Sequence, residues 1–107
     1  MDIDKDFTAE QVVQLLKKIE LRWIPREKNR EFKDRAGIQL EDIYKCVRNL
    51  QLRHFYSGPL EDDDPNKKGK LYIFKTLFLY RFWVYIKVKI KQDTKENKFI
   101  AIISFHD

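Results

Sequence analysis

The sequence predicts an α+β fold, with N-terminal helices packed on a C-terminal antiparallel sheet of about three strands. Three observations predict it. Before Leu50, apolar residues recur at helical spacing, at Val12, Leu15, Leu16 and Ile19 and again at Leu40, Ile43, Val47 and Leu50. From Lys70 to Ile90 the chain is nearly unbroken strand-forming sequence, too long for one strand of a small domain. After a polar gap, Phe99 to His106 forms a further strand-like run.

The elements follow in order. Thr8-Ala9-Glu10-Gln11 has the form of a capping box, with Thr8 as N-cap, and Phe7 and Val12 are spaced for a hydrophobic staple. The first helix therefore runs from Thr8 to about Ile19. Leu21 to Ile24 reads as extended, because the residue before Pro25 disfavours the helical region. Glu27 to Ala36 is a charged stretch broken only by Phe32, read as a short helix with Gly37 at its C′ position. Leu40 to Leu50 carries a buried stripe. Cys46 borders it and reads as a small buried hydrophobe rather than a nucleophile. Gly58-Pro59 marks a turn closing the helical half, and Leu60 to Gly69 is a polar loop without calcium-loop spacing. A hairpin is expected over Leu71–Leu77 and Trp83–Lys91, with a turn near Leu79 to Phe82, although that turn lacks Gly, Asn or Asp. Its apolar tip of Phe78, Leu79, Tyr80 and Phe82 is a surface that a bound partner would cover. Gln92 to Asn97 forms the second turn.

At 107 residues the chain is read as one domain spanning 1–107. It has no apolar run of about 18 residues, so no membrane span is expected. The acidic, polar N-terminus has no signal-peptide pattern, and the one cysteine cannot form an internal disulfide, so the cytoplasm is the expected compartment. One cysteine and two histidines provide no metal-site spacing, and neither metal nor cofactor is expected.

The net charge of +5 is unevenly placed. Lys75 to Lys98 holds seven basic residues against two acids. In a strand, Val84, Ile86, Val88 and Ile90 share one face, and Trp83, Tyr85, Lys87, Lys89 and Lys91 share the other. A cationic face with aromatic rings suits the phosphates and bases of RNA. The plainer reading is a solvated sheet face, with Trp83 in the core or an interface, Tyr85 packing, His54 packing beside the Leu50 helix and His106 a surface residue near the terminus.

Gly37-Ile38, the helix ending at Leu50, His54-Phe55-Tyr56-Ser57, Tyr85-Ile86-Lys87 and Ile103-Ser104-Phe105-His106 occur in an order that resembles the motility quorum-sensing regulator (MqsR-like) family of bacterial toxins. The resemblance covers roughly Arg26 to the C-terminus. It implies a RelE-like fold, endoribonuclease activity on messenger RNA as the toxin of a type II toxin-antitoxin system, and neutralisation by a co-encoded antitoxin. Tyr85 and Lys87 match the family's Tyr-x-Lys strand. His106 stands where the family's closing Ser-Phe-Lys has its lysine. Tyr56 is followed by Ser57 rather than lysine, and Ile73, Phe74 and Lys75 occupy the region of the family's glutamine.

Metal-independent RNA cleavage needs a proton acceptor for the 2′-hydroxyl, a proton donor for the leaving 5′-oxygen, and cations on the phosphate. The candidate catalytic residues are Tyr85, His106, Lys87, Tyr56 and His54, with Lys75, Arg81 and Lys89 as RNA-binding cations. His106 is read as general acid or base, because histidine ordinarily titrates near neutral pH. Tyr85 would orient the hydroxyl or donate a hydrogen bond. Lys87 would stabilise the phosphate. His54 or Tyr56 would supply a second proton-transfer group, or Tyr56 would stack on a base. The alternative is a non-catalytic RNA-binding or ribosome-associated module on the same face. A third reading is an interaction protein that recruits its partner through the apolar hairpin tip.

Overall fold

The computed structural model describes residues 5–64 and 66–107. In chain order the elements are α1 (Ala9–Lys18), β1 (Glu20–Trp23), α2 (Glu27–Ala36), α3 (Leu40–Arg48), a 3₁₀ turn (Leu52–His54), β2 (Phe55–Leu60), β3 (Leu71–Phe78), β4 (Phe82–Gln92) and β5 (Lys98–His106). The α+β class holds, but the sheet has five strands rather than about three, in the order β1-β5-β4-β3-β2.

The two additional strands have separate causes. Leu21 to Ile24 is predicted to be extended, and Glu20–Trp23 lies parallel to β5, with Leu21 opposite Ile100 and Trp23 opposite Ile102. The sheet is thus mixed, not a plain antiparallel meander. Gly58-Pro59, predicted as a turn, lies inside β2 at the opposite sheet edge, where Pro is tolerated because an edge strand has N–H groups without a ladder partner. Gly58 has φ 135°, and a Cβ there would lie 2.8 Å from the Leu71 carbonyl oxygen, so the strand needs glycine at this close approach.

Both halves of the Thr8 capping box form: the Gln11 N–H donates to Thr8 Oγ1 at 3.2 Å, and the Thr8 N–H donates to Gln11 Oε1 at 2.9 Å. Gly37 ends α2 in the left-handed conformation at φ 68°, with its N–H donating to the Asp34 carbonyl. α1 and α3 are tied end to end. Arg48 donates to the Leu16 and Ile19 carbonyls at 2.8 and 2.6 Å, and Lys17 donates to the Arg48 and Leu50 carbonyls. These cations complement the helix C-termini, where carbonyls lack intrahelical partners.

Val12, Leu16, Ile43, Val47 and Leu50 from the helices form one core with Phe74, Val84, Ile86, Val88 and Ile100 from the sheet. Burying each aliphatic side chain contributes roughly 1.5–3 kcal/mol before entropy is counted. Phe32 enters this core from α2, edge-on to Phe82 with ring centroids 5.2 Å apart. The predicted alternation of β4 is realised: Val84, Ile86, Val88 and Ile90 are buried, and the opposite face is left to Trp83, Tyr85, Lys87, Lys89 and Lys91.

Candidate functional site

The outer face of the sheet is organised in rows across the strands. Tyr85 on β4 lies opposite Lys75 on β3 and His106 on β5. Lys87 lies opposite Ile73 and Ser104. Tyr56, on β2, extends the first row, with the Lys75 ammonium 3.7 Å from its ring centroid. The rings of Tyr85 and His106 stack, with centroids 5.8 Å apart and planes 28° apart.

His106 reaches this face because β5 contains a bulge. Lys87 pairs with Ser104 but Val88 pairs with Ile102, leaving Ile103 as the extra residue. Ile100 and Ile102 face the core, so strict alternation would send Ser104 and His106 there as well. The bulge reverses the parity: Phe105 becomes fully buried, and Ser104 and His106 turn to the side of Lys87 and Tyr85.

α2 secures the bulged segment. β1 ends at Trp23, leaving the edge of β5 beyond Ile102 without a strand partner. Asn29, 1% exposed, supplies one: its side-chain amide donates to the Ile103 carbonyl at 2.9 Å and to the Ile24 carbonyl at 3.0 Å. Its side-chain oxygen accepts from the Phe105 N–H at 2.9 Å. Arg35 holds Asp107 through two hydrogen bonds of 2.8 and 2.9 Å.

This clamp brings the N-terminal turn of α2 to the face. A pocket of about 450 Å³ is lined by Arg26, Glu27 and Lys28 on one side and Tyr85, Lys87 and His106 on the other, with Ser104 and Asn29 in its wall. It shares Arg26 and Lys87 with a second groove of about 480 Å³ that runs on toward Lys67 and Lys91. Arg26, Glu27 and Lys28 are not among the residues the sequence pattern points to. They fall in a charged run without apolar periodicity, and the break at Pro25 just before it is the one local signal.

Of the residues expected at the site, Tyr85, Lys87, His106, Lys75 and Tyr56 gather on one face. Lys89 shares their strand face but not their availability. It is 3% exposed, and its ammonium donates to Asp62 Oδ2 at 2.5 Å. Its charge is thus paired with a carboxylate rather than open to a phosphate. His54 lines a separate groove with Cys46, Asn49 and Leu79, and its Nδ1 accepts from the Gln51 N–H at 2.9 Å. Burial, and then the charge of Arg53, lower its pKa. Arg81 sits at the hairpin tip over the Phe82 ring, outside the pocket lining. Trp83, expected in the core or an interface, is 63% exposed.

Burial, and then the proximity of Tyr56, push the Tyr85 phenol above its ordinary value. It therefore remains a hydrogen-bond donor throughout neutral pH. Burial pushes Cys46 up to about 11, which leaves it a thiol rather than a nucleophilic thiolate. Among the described residues, no group of three or more His, Cys, Asp or Glu is placed to hold a metal ion. Among them too, no helix is long and apolar enough to cross a membrane.

Comparison with family models, curated proteins and solved structures gives no match. A functional reading rests on the residues and their arrangement.

Proposed function

We propose that the protein is a metal-independent endoribonuclease, acting on messenger RNA as the toxin of a type II toxin-antitoxin pair. The observation that carries the proposal is the stacked Tyr85–His106 pair, held beside Lys87 and Lys75 and bordered across the pocket by Arg26 and Lys28. Proton-transfer groups and cations converge there on an open face that an unpaired strand can reach.

In the proposed reaction, a base removes the proton of a ribose 2′-hydroxyl, and the 2′-oxygen attacks the adjacent phosphorus. The bond to the 5′-oxygen breaks, and that oxygen leaves with a proton from an acid. The products are a 2′,3′-cyclic phosphate and a 5′-hydroxyl. His106 takes one proton-transfer role. Glu27, the carboxylate in the pocket lining, is better placed than His54 for the other. Tyr85, kept protonated, donates to the phosphate or orients the hydroxyl. Lys87, Arg26 and Lys28 offset the charge that builds on the phosphate.

A non-catalytic RNA-binding module is the second reading. It is favoured by one observation: His54 and Lys89, two of the expected groups, are directed elsewhere or neutralised. Induction of the protein in cells, with primer extension on cellular RNA, separates the two. A nuclease generates growth arrest and new RNA ends that disappear in Tyr85→Phe and His106→Ala. A binder generates no new ends from the intact protein. Co-purification of a small protein encoded beside it would support the antitoxin pairing, and an abundant, non-toxic chain made alone would count against it.

A further inference from the structure

Trp83 is 63% exposed, and its cross-strand partner Leu77 is 51% exposed. Both lie on the face of Tyr85 and Lys75, one row nearer the hairpin tip. Among the described residues no ring stacks on Trp83 and no cation sits over it. Tyr56, by contrast, already has the Lys75 ammonium over its ring.

We propose that Trp83, supported by Leu77, is the stacking platform for an unpaired RNA base immediately next to the nucleotide held at Tyr85 and His106. The inference rests on the RNA reading of that face and adds a base subsite to it. Two residues along β4 separate Trp83 from Tyr85 by roughly 7 Å, a step that one nucleotide spans. A large indole exposed on a sheet, two residues along the strand from Tyr85 in a groove that also holds Arg26, Glu27, Lys28 and Lys87, pairs a stacking surface with cations as single-stranded nucleic acid requires. The shared strand face with Tyr85 and Lys75, one row away, favours a base over a protein side chain. Stacking uses the ring face that every base has, so the subsite would anchor and register the strand more than read its sequence.

The test uses short fluorescein-labelled single-stranded RNAs with 2′-fluoro riboses, which lack the attacking hydroxyl. In one set each nucleotide in turn is replaced by an abasic one. Trp83→Ala is expected to weaken binding of the intact probe by roughly 5- to 100-fold, and Trp83→Phe to retain most of the affinity. At one position only, the abasic probe should bind the native protein and Trp83→Ala equally. The salt dependence of binding should be the same for both, because Trp83 contacts no phosphate. Unchanged affinity in Trp83→Ala, or an equal loss for every probe, overturns the stacking subsite. The RNA reading then survives if Lys87→Ala still weakens binding. Loss of a co-purifying protein without loss of RNA affinity also overturns it, in favour of a protein-docking surface. If the native protein binds none of the probes, the subsite and the RNA reading fall together.

Discussion

The His106 imidazole lies over the Tyr85 phenol at 5.8 Å between centroids, and the one-residue bulge at Ile103 puts it there. Both rings stand in the row that Lys75 and Tyr56 complete. If this pair carries the chemistry, His106→Ala should lower the single-turnover cleavage rate by about 10²- to 10⁴-fold, the usual contribution of a positioned acid or base. RNA affinity should change only a few-fold. Tyr85→Phe keeps the ring stack and removes the hydroxyl, so it separates stacking from hydrogen-bond donation. A smaller rate loss than for His106→Ala, with unchanged affinity, is expected.

Arg26 and Lys28 act as charges rather than proton carriers in this arrangement. Arg26→Ala and Lys28→Ala should each weaken RNA binding. Each should also reduce the slope of log affinity against log salt by about 0.7 for every phosphate the side chain neutralises. Lys89→Met should leave that slope unaltered, because Asp62 already neutralises the Lys89 ammonium. Titration of oligonucleotide binding at several salt concentrations checks all three.

Asn29 substitutes for a missing strand. Asn29→Ala should lower the unfolding free energy by about 1–3 kcal/mol, since the buried Phe105 N–H loses its acceptor and the Ile103 carbonyl keeps only a long contact from Arg26. Asn29→Asp is expected to do no better, because carboxylate oxygens would face the Ile24 and Ile103 carbonyls. Urea unfolding measures the stability. The same variants should lose cleavage through displacement of His106.

The β3–β4 connection turns through Leu79 and Tyr80, both at φ 56°, with the Arg81 N–H donating to the Phe78 carbonyl at 3.1 Å. Non-glycine residues are strained at such angles, and both side chains are exposed, Tyr80 at 98%. Replacing Leu79-Tyr80 by Asn-Gly, the residues this turn geometry prefers, should stabilise the protein by about 1–2 kcal/mol. Thermal unfolding should rise by about 4–8 °C per kcal/mol. An unchanged or lower midpoint would show that these side chains make interactions that outweigh the strain.

Among the described residues, three carboxyls are held below the usual aspartate range. Asp62 is held chiefly by its hydrogen bond from Lys89, Asp93 by the Asn97 backbone N–H, and Asp107 by Arg35. A carboxyl with a depressed folded-state pKa contributes stability above its unfolded value, near 4, and that contribution is lost as pH falls through the folded value. The contribution of these carboxyls should therefore be level from pH 7 to about 5 and decline below about 4, and the lowered pKa of His54 adds a separate loss that begins as pH falls through the ordinary histidine range. Asp62→Asn and Asp93→Asn should each make the acid limb shallower in urea titrations at graded pH. Asp62→Asn should also lower stability at neutral pH, by leaving the Lys89 ammonium buried without its counter-charge.

The helices, the two hairpin-forming runs and the two-faced character of β4 are legible because each is a local pattern: a capping box at Thr8, a 3-4-3 stripe from Leu40, a period of two from Trp83. The same period places Tyr85 and Lys87 on one face by spacing alone. β1 is legible only as an extended segment, because its partner lies about 80 residues away and a parallel pairing has no turn to announce it. β2 is hidden by Gly58-Pro59, which ordinarily punctuates but here lies on an edge strand.

Local periodicity alone identifies the buried stripes of α1 and α3 and the buried face of β4, and with that face the cationic, aromatic character of its reverse. Hydrophobic periodicity acts over a few residues and needs no knowledge of partners. Tertiary structure alone decided which of those polar residues work together. The bulge at Ile103 reverses the parity of β5 and delivers His106 to Tyr85; the Asn29 clamp brings Arg26 and Lys28 to the same pocket; and Asp62 pairs with the Lys89 ammonium. Each outcome depends on register and on contacts between segments remote in the chain, where a shift of one residue changes which face a side chain occupies.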